Sequence, residues 1–117
     1  MISPYVFPGL QNVKLASMKI RKQRNDQIAN NIIQSICFDR DVTKTEVVGK
    51  RKFKELVEAR YLSIYMIKTK TDMTLKEIGK IFNRDHATII YAVESIKDTM
   101  SYDKVIRAEV ERLTLLF

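Results

Sequence analysis

Residues that break helices are almost absent from this chain after its first ten positions. Its only two prolines are Pro4 and Pro8, and only three glycines occur among the 117 residues. Leu, Ile, Lys, Glu and Arg, which favour helices, are common in the remaining sequence. A chain of this length forms one domain that can bury a modest core. We therefore predict an all-α domain, a compact helical bundle.

The apolar pattern predicts one long helix or two shorter helices in the first third of the chain. We expect residues 1–10, which contain both prolines, to form an irregular arm. From about residue 11 to 38 the pattern is helical, with isoleucines on one stripe at a spacing of four. Asn25 or Asp26 could cap a separate second helix within this range.

Two further helices are predicted in the middle of the chain. Thr43 and Glu46 match a capping box, which predicts a short helix ended at Gly49, with a short strand as the alternative. From about Phe53 to Lys68 the sequence is apolar nearly all round, which is typical of a central helix packed against several others. The two tyrosines of this helix alternate with aliphatic residues at helical spacing, so we assign them to the core.

The next segment has the pattern of a helix-turn-helix. Thr74 and Glu77 form a second capping box before a short helix, and a polar turn follows at Asn83 and Arg84. The second helix begins with the row "NRDHAT" and then presents an apolar stripe that starts at Ile89. Side chains at the start of such a helix reach base edges in the DNA major groove. That role would explain why this first turn is polar.

Positive charge is concentrated in two stretches, and the formal net charge is +7. Residues 1–24 carry five Lys or Arg and no acid, and residues 44–70 carry eight against three Glu. Such clusters are typical of polyanion-binding proteins, although a solvated helix face rich in lysine is the alternative. We expect double-stranded DNA as the partner, and we leave a protein partner and the oligomeric state open.

Other classes of function and location are disfavoured. The single cysteine, Cys37, is predicted to be a buried structural thiol in a reducing cytoplasm. No apolar run reaches the roughly 18–20 residues that span a bilayer, and the N-terminus lacks the layout of a secretion signal. We therefore predict a cytoplasmic protein without membrane contact. One histidine and one distant cysteine favour neither a metal nor a cofactor. No catalytic triad or phosphate loop is visible, so we expect no catalytic residue and no enzyme.

The segment "MTLKEIGKIFNRDHATIIYAVESIK" resembles the signature of the C-terminal DNA-binding domain of DnaA, the bacterial chromosomal replication initiator. The family pattern is a helix with "EIG", a short turn, then "RDH", a small or hydroxyl residue, Thr and two aliphatics, and this sequence has each part. The upstream "GKRKFKELVEARYLSIYMIK" is similar to the family's basic loop and central helix. The resemblance implies a Trp-repressor-like helical domain over residues 26–117, after an arm and basic helical extension over residues 1–25. It also implies recognition of a replication origin or an operator. Nothing here resembles the family's ATPase module.

The resemblance implies particular roles in DNA binding. Contacts in the major groove fall to Arg84, Asp85, His86, Ala87 and Thr88, of which Arg84 suits a phosphate or a guanine. The basic loop, residues 50–54, would lie at the adjacent minor groove through Lys50, Arg51, Lys52 and Lys54, with Lys52 inserted. Phosphates would be bound by Arg60, Thr74 and Lys76.

The sequence departs from the family pattern at several of these positions. Ala87 stands where a second hydroxyl residue is usual, and Lys52 stands where an arginine is usual. Asn83 replaces a Gly-Gly turn. Glu94 and Asp98 place negative charge on the outer face of the second helix.

Several alternatives therefore stay open. Asp85 could cap the helix as well as, or in place of, reading a base. His86 could be a structural residue at the helix end, and the basic loop could be only a solvated segment. The rival function is a protein-interaction module on the same helical fold that has lost DNA binding.

Overall fold

The computed structural model describes the backbone of residues 3–117 and the side chains of residues 13–117. This part of the chain forms helices and no strand, so the predicted all-α class is confirmed. The helices are α1 (Ser3–Arg40), α2 (Lys44–Val48), α3 (Lys54–Lys70), α4 (Leu75–Phe82), α5 (His86–Tyr102) and α6 (Lys104–Leu116). None of them is long and apolar enough to cross a membrane.

The first third of the chain is one long helix. The prediction of an irregular arm is wrong for residues 3–10, which form the first turns of α1, while residues 1 and 2 lie outside the described residues. A proline is tolerated in a first helical turn, where its missing N–H would have no partner, and Pro4 lies there. Side chains 13–20 are all exposed, so α1 joins the globule only from about Arg21 onward. There the buried amide of Asn25 donates to Asp72 Oδ1 at 2.5 Å.

Helix α3 is the central element, as its all-round apolar pattern predicted. Its buried residues include Leu62, Ile64, Met66 and Ile67, which lie on several sides of the helix. It packs against each of the other helices. Tyr61 and Tyr65 are partly buried against the core, in line with their assignment.

The second half of α1 supplies another wall of the core. Ile32, Ile33 and Ile36 are fully or almost fully buried, and Cys37 is buried beside them, as predicted. Burial raises the pKa of the Cys37 thiol, which keeps it protonated. The neighbouring Phe38 points the other way and is 85% exposed, so it does not cover the thiol.

Local sequence signals fix the two short helices as predicted. Thr43 accepts a hydrogen bond from the Glu46 N–H, and the Glu46 carboxylate accepts one from the Thr43 N–H, so α2 begins with a complete capping box. The same reciprocal pair forms between Thr74 and Glu77 at the start of α4. A capping box satisfies two backbone N–H groups that a helix start leaves unpaired. These short helices therefore begin where the sequence placed them.

Candidate nucleic-acid interface

Helices α4 and α5 form a helix-turn-helix with a very tight turn. Helix α4 ends at Phe82, and its C-cap Asn83 is in the left-handed region with φ 51° and ψ 51°. The Arg84 N–H then donates to the Gly79 carbonyl at 2.9 Å. A Cβ atom on Gly79 would lie 2.5 Å from the Arg84 carbonyl oxygen, well inside van der Waals contact. The glycine of "EIG" is therefore required by the close approach of two backbones, and this fixes where α5 begins.

Asp85 is the N-cap of α5. Its Oδ1 accepts hydrogen bonds from the Thr88 N–H at 2.9 Å and from the Thr88 hydroxyl at 2.7 Å. These two bonds stabilise the carboxylate and lower the pKa of Asp85 below its ordinary value. Both bonds go to one oxygen of an exposed side chain. The capping alternative is thus what the structure shows, and it occupies only part of the carboxylate.

The first turn of α5 presents small and polar side chains to solvent. His86 and Ala87 are exposed, Thr88 is half-buried, and Ile89 beneath them is fully buried. The exposed face continues through Ile90, which is 44% exposed, and Tyr91, which is 64% exposed. Both lie one turn after His86 and Ala87, on the same side of the helix.

The site residues predicted from sequence end at Thr88 and do not include this continuation of the exposed face. The spacing of four residues from His86 to Ile90 and from Ala87 to Tyr91 is the signal that could have found it. The Tyr91 ring meets the Tyr61 ring edge to face, with centroids 6.0 Å apart, which steadies Tyr91 on the surface.

The basic loop lies beside the start of α5. Lys50, Arg51, Lys52 and Lys54 are all exposed, and Lys54 is the first residue of α3. Lys52 lines a cleft of about 370 Å³ together with Arg60, Arg84 and Thr88. The structure therefore brings the predicted minor-groove residue and the predicted major-groove helix to the edges of the same cleft.

Arg60 does not occupy the position that its predicted phosphate contact requires. The side chain is 2% exposed, and its guanidinium donates to the carbonyls of Val47 at 2.6 Å, Arg51 at 2.9 Å and Gly49 at 3.1 Å. Burial, together with the nearby positive charge of Arg84, lowers the pKa of Arg60. The guanidinium is thus used inside the protein, and a phosphate cannot reach it in this conformation.

Arg84, which is predicted to contact a base or a phosphate, is bound internally in this structure. The residue is half-buried, and its guanidinium donates to the Phe82 carbonyl at 2.6 Å and to the Gly49 carbonyl at 2.7 Å. A longer bond of 3.4 Å goes to the Val48 carbonyl. In this conformation Arg84 joins the helix-turn-helix to the segment that leads into the basic loop.

The other predicted phosphate ligands lie at the mouth of an open depression in front of the helix-turn-helix. This depression of about 790 Å³ is lined by Thr74, Lys76, Lys80, Asn83 and His86, among others. Thr74 and Lys76 are exposed, as a phosphate contact requires. Lys80 is exposed one helical turn after Lys76 and was missed, although its spacing of four residues places it on the same face.

Comparison with known proteins identifies the family to which the sequence belongs. The sequence profile described as "Bacterial dnaA protein helix-turn-helix" matches residues 29–96, which run from the middle of α1 into α5. The chain belongs to this family. The match covers the central helix α3, helix α4, the turn and most of α5, so it supports DNA binding by this motif.

Individual relatives agree with the DnaA assignment. The chain is 34% identical over 88 residues to the chromosomal replication initiator protein DnaA of Bacteroides fragilis, covering 74% of this chain and 18% of the relative. It is 33% identical over 102 residues to the DnaA protein of Acholeplasma laidlawii, covering 84% of this chain and 23% of that protein. The chain is 31% identical over 88 residues to the DnaA protein of Corynebacterium jeikeium, covering 74% of this chain and 15% of the relative. The chain thus spans about a fifth of the length of these DnaA proteins.

Proposed function

We propose that this chain binds double-stranded DNA in a sequence-specific manner, at a site of the replication-origin or operator kind. Helix α5 would enter the major groove with its first turn, and the basic loop would lie at the adjacent minor groove. The observation that carries the proposal is the shared cleft, which has the exposed Lys52 on one side and the first turn of α5 on the other. One rigid surface thus offers a reading helix and a positively charged loop side by side.

The chemistry of the first turn of α5 suits base reading. The Asp85 oxygen that does not cap the helix can accept a hydrogen bond from cytosine N4, and the exposed His86 can bond a base edge. Ala87 is exposed and can contact a thymine methyl group. The Thr88 hydroxyl already donates to Asp85, so Thr88 offers an acceptor or its methyl group. Thr74, Lys76 and Lys80 would bind backbone phosphates from α4.

One observation favours the rival function, a protein-interaction module. Glu94 and Asp98 are exposed on α5 and give the far part of this helix negative charge, which DNA phosphates repel. Glu94 is paired with Lys97 at 3.4 Å, so part of this charge is balanced locally. The exposed basic loop favours DNA, because a protein module that had lost DNA binding would have no use for it.

Selection of bound sequences from a pool of random duplexes tests the proposal. Sequence-specific binding predicts one enriched motif, whereas the protein-interaction module predicts none at any salt concentration. His86→Ala should then weaken binding to the enriched motif by roughly 1–3 kcal/mol. On random duplex the loss should be much smaller, and the melting temperature should hardly change.

Ser101→Ala is the matched control for His86→Ala, because Ser101 is exposed near the other end of the same helix. It should leave affinity unchanged on both duplexes. A large loss of stability in His86→Ala with unchanged specificity would show that His86 is structural.

A further inference from the structure

Two arginine side chains converge on the segment that leads from α2 into the basic loop. Arg60 donates to the carbonyls of Val47, Gly49 and Arg51, and Arg84 donates to those of Val48 and Gly49. Helix α2 has only five residues, so most of its carbonyls have no partner within the helix. The two guanidiniums supply donors for its last carbonyls, those of Val47 and Val48, and for the Gly49 and Arg51 carbonyls that follow. The start of the basic loop is therefore fixed by side chains from elsewhere in the fold.

The two arginines come from different parts of the DNA-binding surface. Arg60 projects from α3, whose first turn carries Lys54 of the basic loop. Arg84 lies in the turn of the helix-turn-helix, directly before the N-cap of α5. Through the Phe82 carbonyl, Arg84 also binds the last residue of α4. A single planar group thus bonds the end of α4 and the segment that enters the basic loop.

Holding two like charges at one carbonyl has an electrostatic cost. Both guanidiniums bond the Gly49 oxygen, at 2.7 Å from Arg84 and 3.1 Å from Arg60. The cost is offset because each cation faces several carbonyl dipoles, and a guanidinium carries five N–H donors in a fixed plane. Arg84 uses its two terminal nitrogens, one for the Phe82 carbonyl and the other for the Gly49 carbonyl. A lysine ammonium has a single nitrogen, which cannot take the place of both. The arrangement therefore requires arginine, and a positive charge alone would not maintain it.

We propose that Arg84, supported by Arg60, is a positioning residue for DNA binding that fixes the basic loop relative to the first turn of α5. This inference rests on the proposed function. It gives Arg84 a role that does not involve touching a base or a phosphate. A DNA site would have one part read in the major groove and another contacted in the minor groove. The hydrogen bonds of Arg84 would set the distance between these two parts.

Arg84→Lys is the decisive variant, because it keeps the charge and removes the planar group. On a site with a flanking A·T run, we expect it to lose roughly tenfold in affinity, a loss equal to that of Lys52→Ala. The double variant should be no weaker than either single variant, since both changes remove the same loop contact. The bases preferred in the major groove should stay the same.

Two outcomes would overturn the proposal. A changed base preference at one position in Arg84→Lys would show that Arg84 reads that base directly. A loss equal on all sequences and additive with Lys52→Ala would show that it binds a phosphate.

Hydrogen exchange keeps the inference testable apart from DNA binding. In Arg84→Lys, the hydrogen-bonded backbone amides of Val47 and Gly49, at the start of the basic loop, should exchange faster, while those in the second half of α5 should stay protected. Unchanged exchange at Val47 and Gly49 would contradict the positioning role even if the variant binds DNA weakly. If the wild type binds no duplex, the proposed function fails, and the exchange result still decides whether Arg84 fixes the loop.

Discussion

At the scale of single residues, the first turn of α5 shows that one side chain can serve the fold and the site. Asp85 caps the helix through one oxygen, and its other oxygen remains for a base. The sequence left capping and base reading open for Asp85, because the same residue type in the same place satisfies both. Its hydrogen bonds to Thr88 settle the first of the two roles and leave the second as a proposal.

The cap at Asp85 should make stability depend on pH in a specific direction. Because its pKa in the folded protein is lowered, the unfolded chain binds the proton more readily, and the cap stabilises the fold most when the carboxyl is ionised. We expect the wild type to melt above Asp85→Asn at neutral pH. This difference in melting temperature should shrink as the pH falls below 3.8, the ordinary pKa of an aspartate, and then through the lowered pKa of Asp85.

Thermal unfolding monitored by circular dichroism between pH 7 and pH 2 measures this gap. Asp98→Asn, which neutralises another exposed acid of α5, is the control for the change in net charge. A gap that stays constant across the whole range would mean that ionisation of Asp85 contributes nothing to stability.

At the scale of elements, the turn between α4 and α5 depends on two backbone requirements. Gly79 leaves room for the Arg84 carbonyl, and Asn83 adopts the left-handed conformation that ends α4. Asparagine tolerates that conformation better than most residues. This explains how a single Asn83 can stand where the Gly-Gly turn of the family is usual.

The effect of a substitution in this turn on stability should depend on the position and on the residue introduced. Gly79→Ala forces a Cβ atom against the Arg84 carbonyl, so we expect a destabilisation of about 1–3 kcal/mol. Asn83→Gly removes a side chain from a left-handed position and should be neutral or slightly stabilising, whereas Asn83→Ala should destabilise the protein. Urea unfolding measures all three variants. Equal stability of Gly79→Ala and the wild type would mean that the backbone of the turn can shift to make room for the Cβ atom at little cost in free energy.

The basic loop is the second element with its own prediction. A narrow A·T-rich minor groove has strong negative potential, which attracts arginine more than lysine because arginine is less strongly hydrated. Lys52→Arg should therefore tighten binding to sites with a flanking A·T run, and Lys52→Ala should weaken it. Competition assays with and without the A·T run measure the difference.

Alanine substitution at Lys50, Arg51 and Lys54 completes the comparison within the loop, and Lys68→Gln, at the other end of α3, is the control for charge. Equal losses at all four loop positions on both kinds of flank would mean that the loop supplies only a general positive field.

Elements with local signals could be predicted from the sequence, whereas long-range hydrogen bonds could not. The starts of α2 and α4 follow from a threonine and a glutamate three residues apart, so a short stretch of sequence determines them. Burial of Arg60 depends on carbonyls 9 to 14 residues away in the chain, which only the folded structure brings together. The sequence of a basic segment does not distinguish a buried arginine from an exposed one. It therefore showed neither that Arg60 is buried nor that Arg84 donates to backbone carbonyls.

At the scale of the whole molecule, some basic side chains are paired with acids, whereas those around the candidate site are exposed. Arg40 of α1 binds Glu58 of α3 at 2.9 Å and Glu109 of α6 at 2.7 Å. This network neutralises one cation and joins three helices. The lysines and Arg51 around the site are exposed, so they contribute to the net charge of +7 on the surface that would face DNA.

The affinity for duplex DNA should therefore fall steeply with salt. If about five phosphates are neutralised, the logarithm of affinity against that of salt concentration should have a slope near −4 to −5. Lys52→Ala should reduce the magnitude of this slope by about one. Fluorescence anisotropy with a labelled duplex at a series of salt concentrations gives both values. A flat response would favour the protein-interaction module.

Helix α5 separates the residues that maintain the fold from the residues that would choose the target. Ile89, Ala92 and Ile96 are buried, whereas His86, Ala87 and Ile90 face outward. New specificities could therefore be engineered by randomising only the outward positions, because such a library leaves every core contact of the helix intact. Most members should express as folded protein, and a screen would sort them by target alone.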